Sequence, residues 1–276
     1  MRFTFAVLLF AALGCTAPVE PTDAPAGDGP DPVAQLERAG AKLTRDEATP
    51  GKPVVGVSLP GIGKKVSDDD LLPLVSLPTV KDLSLFGCDK ITAAGLKHVA
   101  ALKKLEKLGL SNTALDDAAL TELKGLTELR ELHLTGSVRF TDKCAATINA
   151  FAELRNLSLP SSFTGVGVRK LTALKKVKDL YLGGITSLTD TEIKFLAETM
   201  PELEALEMGS FGIGTEITDD AIPHFAKMKK LQKLGIAGSQ LTPAGLKTLR
   251  EALPNCTVTK PEPKFERPPV LGVPKQ

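Results

Sequence analysis

The chain has 276 residues and a mass of 29.2 kDa, enough for one or two domains, and 42% of it is apolar. Thirty-four Lys and Arg stand against 33 Asp and Glu, which argues against a dedicated nucleic-acid binder and against a supercharged, unfolded chain. There is no Trp, one Tyr and four Cys, too little for an aromatic-lined sugar or base site and too little for a disulfide-dense scaffold.

Residues 1–15 read MRFTFAVLLFAALGC. One basic residue, an apolar run too short to span a bilayer and small residues before a cut describe an export signal. Ala12-Leu13-Gly14-Cys15 resembles the bacterial lipoprotein cleavage box, with Ala12 where that box usually has Leu. The resemblance implies a signal peptide over 1–14 and a lipidated Cys15. An ordinary signal peptide with an incidental Cys is the alternative. Residues 15–32 hold five prolines and read as an extended tether. In lipoproteins Asp after the Cys signals retention at the inner membrane; Thr16 stands there and leans toward the outer membrane, if the cell has one. The expected location is therefore exported and lipid-anchored at the cell envelope, on the outer-membrane or periplasmic side. Loss of the leader would remove Arg2 and leave 33 basic against 33 acidic residues.

The remainder is periodic. Val54-x-x-Val57-x-Leu59 is followed by equivalent segments starting at Val80, Leu105, Leu129, Leu154, Val177, Leu203, Leu231 and Leu253. The starts are separated by 26, 25, 24, 25, 23, 26, 28 and 22 residues. Nine successive L-x-x-L-x-L matches at this period resemble the leucine-rich repeat superfamily, nearest its ribonuclease-inhibitor-like and cysteine-containing types. The resemblance implies an α/β solenoid over 33–258, a curved arc with parallel strands on the concave side and helices on the convex side. About nine strands are expected. Residues 33–50 would form an N-terminal cap and 259–276 a loose Pro-rich tail, with a docked tail as the alternative.

The ninth repeat position carries Cys88, Thr113, Ser137, Ser162, Ile185, Phe211 and Ser239. The small polar residues are placed to bond the turn backbone; Ile185 and Phe211 predict an irregular ladder. After each turn a Thr with a following acid, as in Thr141-Asp142, Thr189-Asp190 and Thr218-Asp219, reads as an N-cap with a carboxylate at the positive helix end. Thr189 and Glu192 have capping-box spacing. Pro243 follows Thr242 as a first helical residue. Leu96, Val99 and Leu102 mark one helical face. In the cap, Asp31-Pro32 starts a helix, Val33 and Leu36 face inward, Gly40 stops it, and Lys42-Leu43-Thr44 adds an edge strand.

Catalytic and cofactor signals are missing. There is no Gly-x-Ser-x-Gly, Gly61-Ile62-Gly63-Lys64-Lys65 fails the phosphate-loop spacing, and His98, His133 and His224 make no zinc pattern with each other or with Cys. His98 and His224 read as convex surface residues. Cys88, Cys144 and Cys256 fall in different repeats and read as buried free thiols. No metal, no cofactor and no enzymatic activity is expected.

Strand positions three and five face outward. In the middle of the array they display Glu131, His133, Asn156, Asp179, Tyr181 and Glu207, with smaller or basic residues toward the ends. The face reads either as a solvated surface with no single target or as a recognition patch for a basic or polar protein. Lys103-Lys104, Lys175-Lys176 and Lys229-Lys230 precede strands, where solvation and helix C-termini account for them; attraction to anionic headgroups is a further reading. The expected function is a non-catalytic protein-interaction module, monomeric, joined to a membrane through its lipid and not bound to nucleic acid. The alternatives are a structural envelope lipoprotein without a discrete ligand and a carbohydrate or small-ligand module.

Overall fold

The computed structural model describes residues 31–59, 61, 65–209 and 214–260. The leader, Cys15, Thr16 and the tether as far as residue 30, as well as Phe211 and residues 261–276 of the tail, lie outside the described residues; Pro32 belongs to the first helix and Thr259 to the last strand, so the tether and the tail are each shorter than the sequence suggested. The described part opens with helix α1 (Pro32–Arg38). Leu36 is fully buried, and Gly40 ends the helix at φ +86°, a left-handed value that favours glycine. Strand β1 (Lys42–Arg45) then pairs antiparallel with β2 (Val54–Ser58) and caps the first edge of the sheet.

From β2 onward all pairing is parallel and sequential: β3 (Asp82–Ser84), β4 (Lys107–Gly109), β5 (Glu131–His133), β6 (Asn156–Ser158), β7 (Asp179–Leu182), β8 (Ala205–Met208), β9 (Lys233–Ile236) and β10 (Thr257–Thr259). The result is an open ten-stranded sheet with helices returning along one side, a leucine-rich repeat solenoid arc. The helical returns are α2 (Ala93–Val99), α3 (Asp117–Thr121), α4 (Ala145–Ile148), α5 (Gly165–Arg169), α6 (Asp190–Thr199), α7 (Ile222–Phe225) and α8 (Pro243–Ala252), with 3-10 turns at Asp69–Ser76, Asp142–Cys144 and Asp219–Ala221.

The register holds the apolar residues in rows. Val57, Leu83, Leu108, Leu132, Leu157, Leu180, Leu206, Leu234 and Val258 pair one after another across the sheet, and all are buried. Leu85, Leu110, Leu134, Leu159, Leu182, Met208 and Ile236 form the next inward row, and Leu96, Val99 and Leu102 close on it from the helical side. A single strand–helix unit cannot bury its own apolar face, so stacking makes the core.

The last repeat corrects the sequence register. Val258, not Cys256, stands opposite Leu234, so the closing spacing at that position is 24 residues rather than 22. Leu253 caps α8, its N–H bonded to Leu249 O. Cys256 consequently leaves the inward row and is only half-buried.

Most of the turns after the strands reverse through a left-handed residue, the turn after β6 excepted. Gly87, Gly136, Gly184 and Gly238 have φ between 70° and 87°, and Asn112 takes the same place at 57°; glycine tolerates this region and Asn is the side chain best suited to it. Behind the turn, three of the ninth-position hydroxyls bond backbone: Thr113 Oγ1 and Ser137 Oγ each donate to Leu110 O at 2.8 Å, and Ser162 Oγ to Phe140 O at 2.6 Å; Ser239 Oγ is buried without a hydrogen-bond partner among the described residues. Ile185 joins the core instead. Cys88 and Cys144 are buried free thiols; desolvation pushes Cys88 up to about 11 and Cys144 further.

The Thr-Asp pairs do more than cap their own helices. Asp142 lies in the first turn of one repeat, and its carboxylate accepts from both Thr164 N (2.8 Å) and Thr164 Oγ1 (2.5 Å) in the next. The same two-bond rung joins Asp68 to Thr92, Asp117 to Thr141, Asp190 to Thr218 and Asp219 to Thr242. A small residue three places after the Thr makes room: a Cβ on Gly95, Gly167 or Gly245 would run into the Asp carboxylate. The threonine hydroxyl in turn accepts from its own helix, as at Thr92, Thr141, Thr218 and Thr242. Each rung therefore brings a carboxylate from one repeat to the orphan N–H groups at the helix start of the next.

Candidate functional site: the concave strand face

Because the inward rows alternate with outward ones, the strands β5 to β8 present Glu131, His133, Asn156, Asp179, Tyr181 and Glu207 on the open face. Register makes neighbours of Glu131 and Asn156, of Asn156 and Asp179, and of Tyr181 and Glu207. His133 and Tyr181 are separated by Ser158 on β6.

The face is not a uniform acidic surface. Glu131 Oε1 lies 2.8 Å from Lys107 Nζ on β4, and that contact holds the Lys107 ammonium above its ordinary range, through the hydrogen bond first and the charge second. Lys107 belongs to the patch as the mate of Glu131, which position along the array alone did not reveal. His133 Nδ1 lies 3.1 Å from Ser158 Oγ. The Asn156 amide, with its nitrogen toward β7, donates to Asp179 Oδ2 at 3.3 Å. What remains is one section, Asp179, Tyr181 and Glu207, in which neither carboxylate has an ion-pair partner among the described residues and the phenol is 40% exposed.

Two glycines shape this section. A Cβ on Gly183 would meet the Tyr181 ring, and one on Gly235 would meet the Glu207 carboxylate. Both glycines are buried although Gly235 occupies an outward position. The large side chains thus lie along the sheet, over a floor without side chains, instead of standing into solvent. The sequence signal was a glycine two residues after Tyr181 and one opposite Glu207.

Three of the lysines in the pairs before the strands have partners one repeat away. Lys176 Nζ meets Glu153 at 2.6 Å and Lys230 Nζ meets Glu202 at 2.6 Å, each contact lowering the glutamate's pKa from its ordinary value. Lys175 Nζ donates to Thr199 O at the end of α6, across to the neighbouring repeat. These are inter-repeat contacts, exposed and individually weak, and only Lys175 follows the helix-terminus expectation. His98 and His224 are half-buried instead of surface residues, and His224 Nδ1 is enclosed without a hydrogen-bond partner.

Among the described residues no group of three or more His, Cys, Asp and Glu is placed to hold a metal ion, and no helix is long and apolar enough to cross a membrane. The concave face is open and shallow, with side chains offered at strand spacing. Such a face supports contact with a partner surface and supplies no water-excluded pocket for catalysis.

No family model matches the sequence. A stretch of 133 residues, 48% of the chain, is 28% identical to F-box/LRR-repeat protein 4 of Bos taurus, and the chain spans 18% of that relative. The structure of internalin C2 from Listeria monocytogenes superimposes with a TM-score of 0.51 at 23% identity, covering 83% of this chain and 80% of that one. A chain of the yeast Rad7 and Elc1 complex superimposes with a TM-score of 0.55 at 21% identity, covering 74% of this chain and 55% of that one. At these identities the likeness is one of fold. The ladder of leucines paired across a parallel, sequential sheet makes the fold of this chain a leucine-rich repeat solenoid.

Proposed function

We propose that this chain is a non-catalytic protein-interaction module, held at the cell envelope by a lipid on Cys15, with its contact centred on β7 and β8. The observation that carries the reading is the section formed by Asp179, Tyr181 and Glu207. It pairs an exposed aromatic with two carboxylates that lack basic mates among the described residues, while the neighbouring charges on β4 and β5 neutralise each other. A tyrosine covers much area at low entropy cost, and the carboxylates guide approach of a partner bearing Lys or Arg. The solenoid supports the module reading because function on such folds resides in the surface residues and not in the repeat itself.

The anchor rests on the lipoprotein-like sequence around Cys15 and on the Pro-rich stretch after it. Cys15→Ser is expected to release the protein from membranes or to stall its precursor. Unchanged fractionation with no acyl mass on the mature N-terminus would refute the anchor. The contact is tested by purifying the native protein from membranes beside a Tyr181→Ala/Glu207→Ala variant. A partner recovered with the first and lost with the second supports the concave reading. Equal recovery refutes it.

A further inference from the structure

Each helix runs back against its strand, so the sheet has one rim of helix N-termini and one of helix C-termini. Charge follows the same division. The segments entering the strands, 77–81, 100–106, 122–130, 149–155, 170–178, 200–204 and 226–232, hold thirteen Lys and Arg and six Asp and Glu. The segments on the opposite rim, 65–70, 86–93, 111–118, 135–142, 160–166, 183–192, 209–220 and 237–244, hold three and twelve. A chain with a formal net charge of only +1 is thus strongly polarised from rim to rim.

Part of the basic rim is neutralised within itself. Glu106 meets Lys81 and Arg130, Glu153 meets Lys176, Glu204 meets Lys178, and Glu202 meets Lys230. Lys103, Lys104, Lys124, Arg155, Lys227 and Lys229 are exposed and make no ion pair among the described residues. From the segment before β4 to the segment before β9 they span five strand spacings, about 24 Å.

We infer that this rim docks on an anionic membrane surface, with the acidic rim turned away from it. The chemistry of the row favours a headgroup plane over a protein. Eleven of its thirteen cations are lysines, compact and strongly hydrated charges that protein interfaces tend to exclude. None of the exposed large apolar side chains, Leu72, Val75, Phe86, Val138, Val166 and Tyr181, lies in these segments, so the rim lacks the buried anchor on which protein contacts depend. A row of point charges is sufficient for anionic lipid, which is attracted by proximity alone. The inference does not depend on the concave contact or on the lipid at Cys15.

The test uses the full chain carrying Cys15→Ser, so that no acyl chain forms, sedimented with vesicles of phosphatidylcholine alone or with one-third phosphatidylglycerol. Binding to the anionic vesicles is expected to exceed binding to the neutral ones by at least about tenfold, and to vanish at high salt. Lys103→Glu/Lys104→Glu/Lys229→Glu is expected to lose the difference, while Lys90→Glu/Lys143→Glu/Lys194→Glu, with the same charge change away from the rim, retains it. Circular dichroism checks that both variants are folded. Equal binding to the two kinds of vesicle would place attachment in the leader and overturn the inference. So would equal loss in the two variants, or duplex DNA displacing the protein from vesicles at matched phosphate concentration, which would make the rim a nucleic-acid surface.

Discussion

Two junctions between repeats lack the aspartate–threonine rung, and they are built differently. Between the caps Thr164 and Thr189 the rung position is Gly165, and Glu192 from the following helix fills the space. It is buried, bonded to Thr189 N at 2.8 Å and to Thr189 Oγ1 at 2.9 Å, and it meets the Arg169 guanidinium. Gly165 N donates to Ser187 Oγ at 3.0 Å, and a Cβ at 165 would strike Glu192. Between the caps Thr92 and Asp116 the rung position is Ala93, and nothing replaces the missing carboxylate. An open cleft of about 400 Å³ remains, lined by Thr92, Ala93, Leu115, Asp116 and Arg139 among others. Asp116 caps only its own helix, accepting from Ala119 N at 3.0 Å. One junction is closed by a buried glutamate that meets an exposed arginine; the other is left at the level of a single cap.

The comparison breaks most readily at Glu192. Glu192→Ala leaves the Thr189 N–H without its partner in a closed junction, while the exposed Arg169 guanidinium regains water, and a loss of about 2–3 kcal/mol is expected in denaturant melts. A loss under about 0.5 kcal/mol would mean that the pair only occupies space. Asp142→Ala removes an ordinary rung, and the expected loss is about 1–2 kcal/mol, the range of a cap with one further hydrogen bond. If Asp142→Ala costs as much as Glu192→Ala, the distinction between the two kinds of junction fails. The smallest effect is a gain. Ala93→Asp with Asp116→Thr writes the missing rung into the open junction, and thermal melts are expected to show about 0.5–1 kcal/mol of added stability. A destabilised double variant would show that the cleft cannot close on a carboxylate.

The strand register was legible because period and alternation agree over successive repeats, each checked by the next. The last repeat had no successor, and Leu253 and Cys256 matched the pattern two residues out of register. Leu253 is apolar for a different reason: it ends α8. The rungs were not legible because Thr-Asp already reads as an N-cap with an acid in the first turn. That the acid turns outward to the following repeat depends on the stacking register and on the space over Gly95, Gly167 and Gly245. On the concave face, the outward direction of Tyr181 followed from Leu180 and Leu182 on either side. The Lys107–Glu131 contact and the glycine floor did not, since both need adjacent strands placed side by side.

Binding strength at fixed salt tests the concave section as the contact surface most directly. The partner recovered with the native protein is titrated with wild type, Tyr181→Ala, and His224→Ala as a change on the convex helix α7. Tyr181→Ala is expected to weaken binding by about 2 kcal/mol, roughly thirtyfold in Kd, with His224→Ala close to wild type. Wild-type affinity in Tyr181→Ala together with loss in His224→Ala, both proteins folded, would contradict the account and move the recognition surface to the helical side.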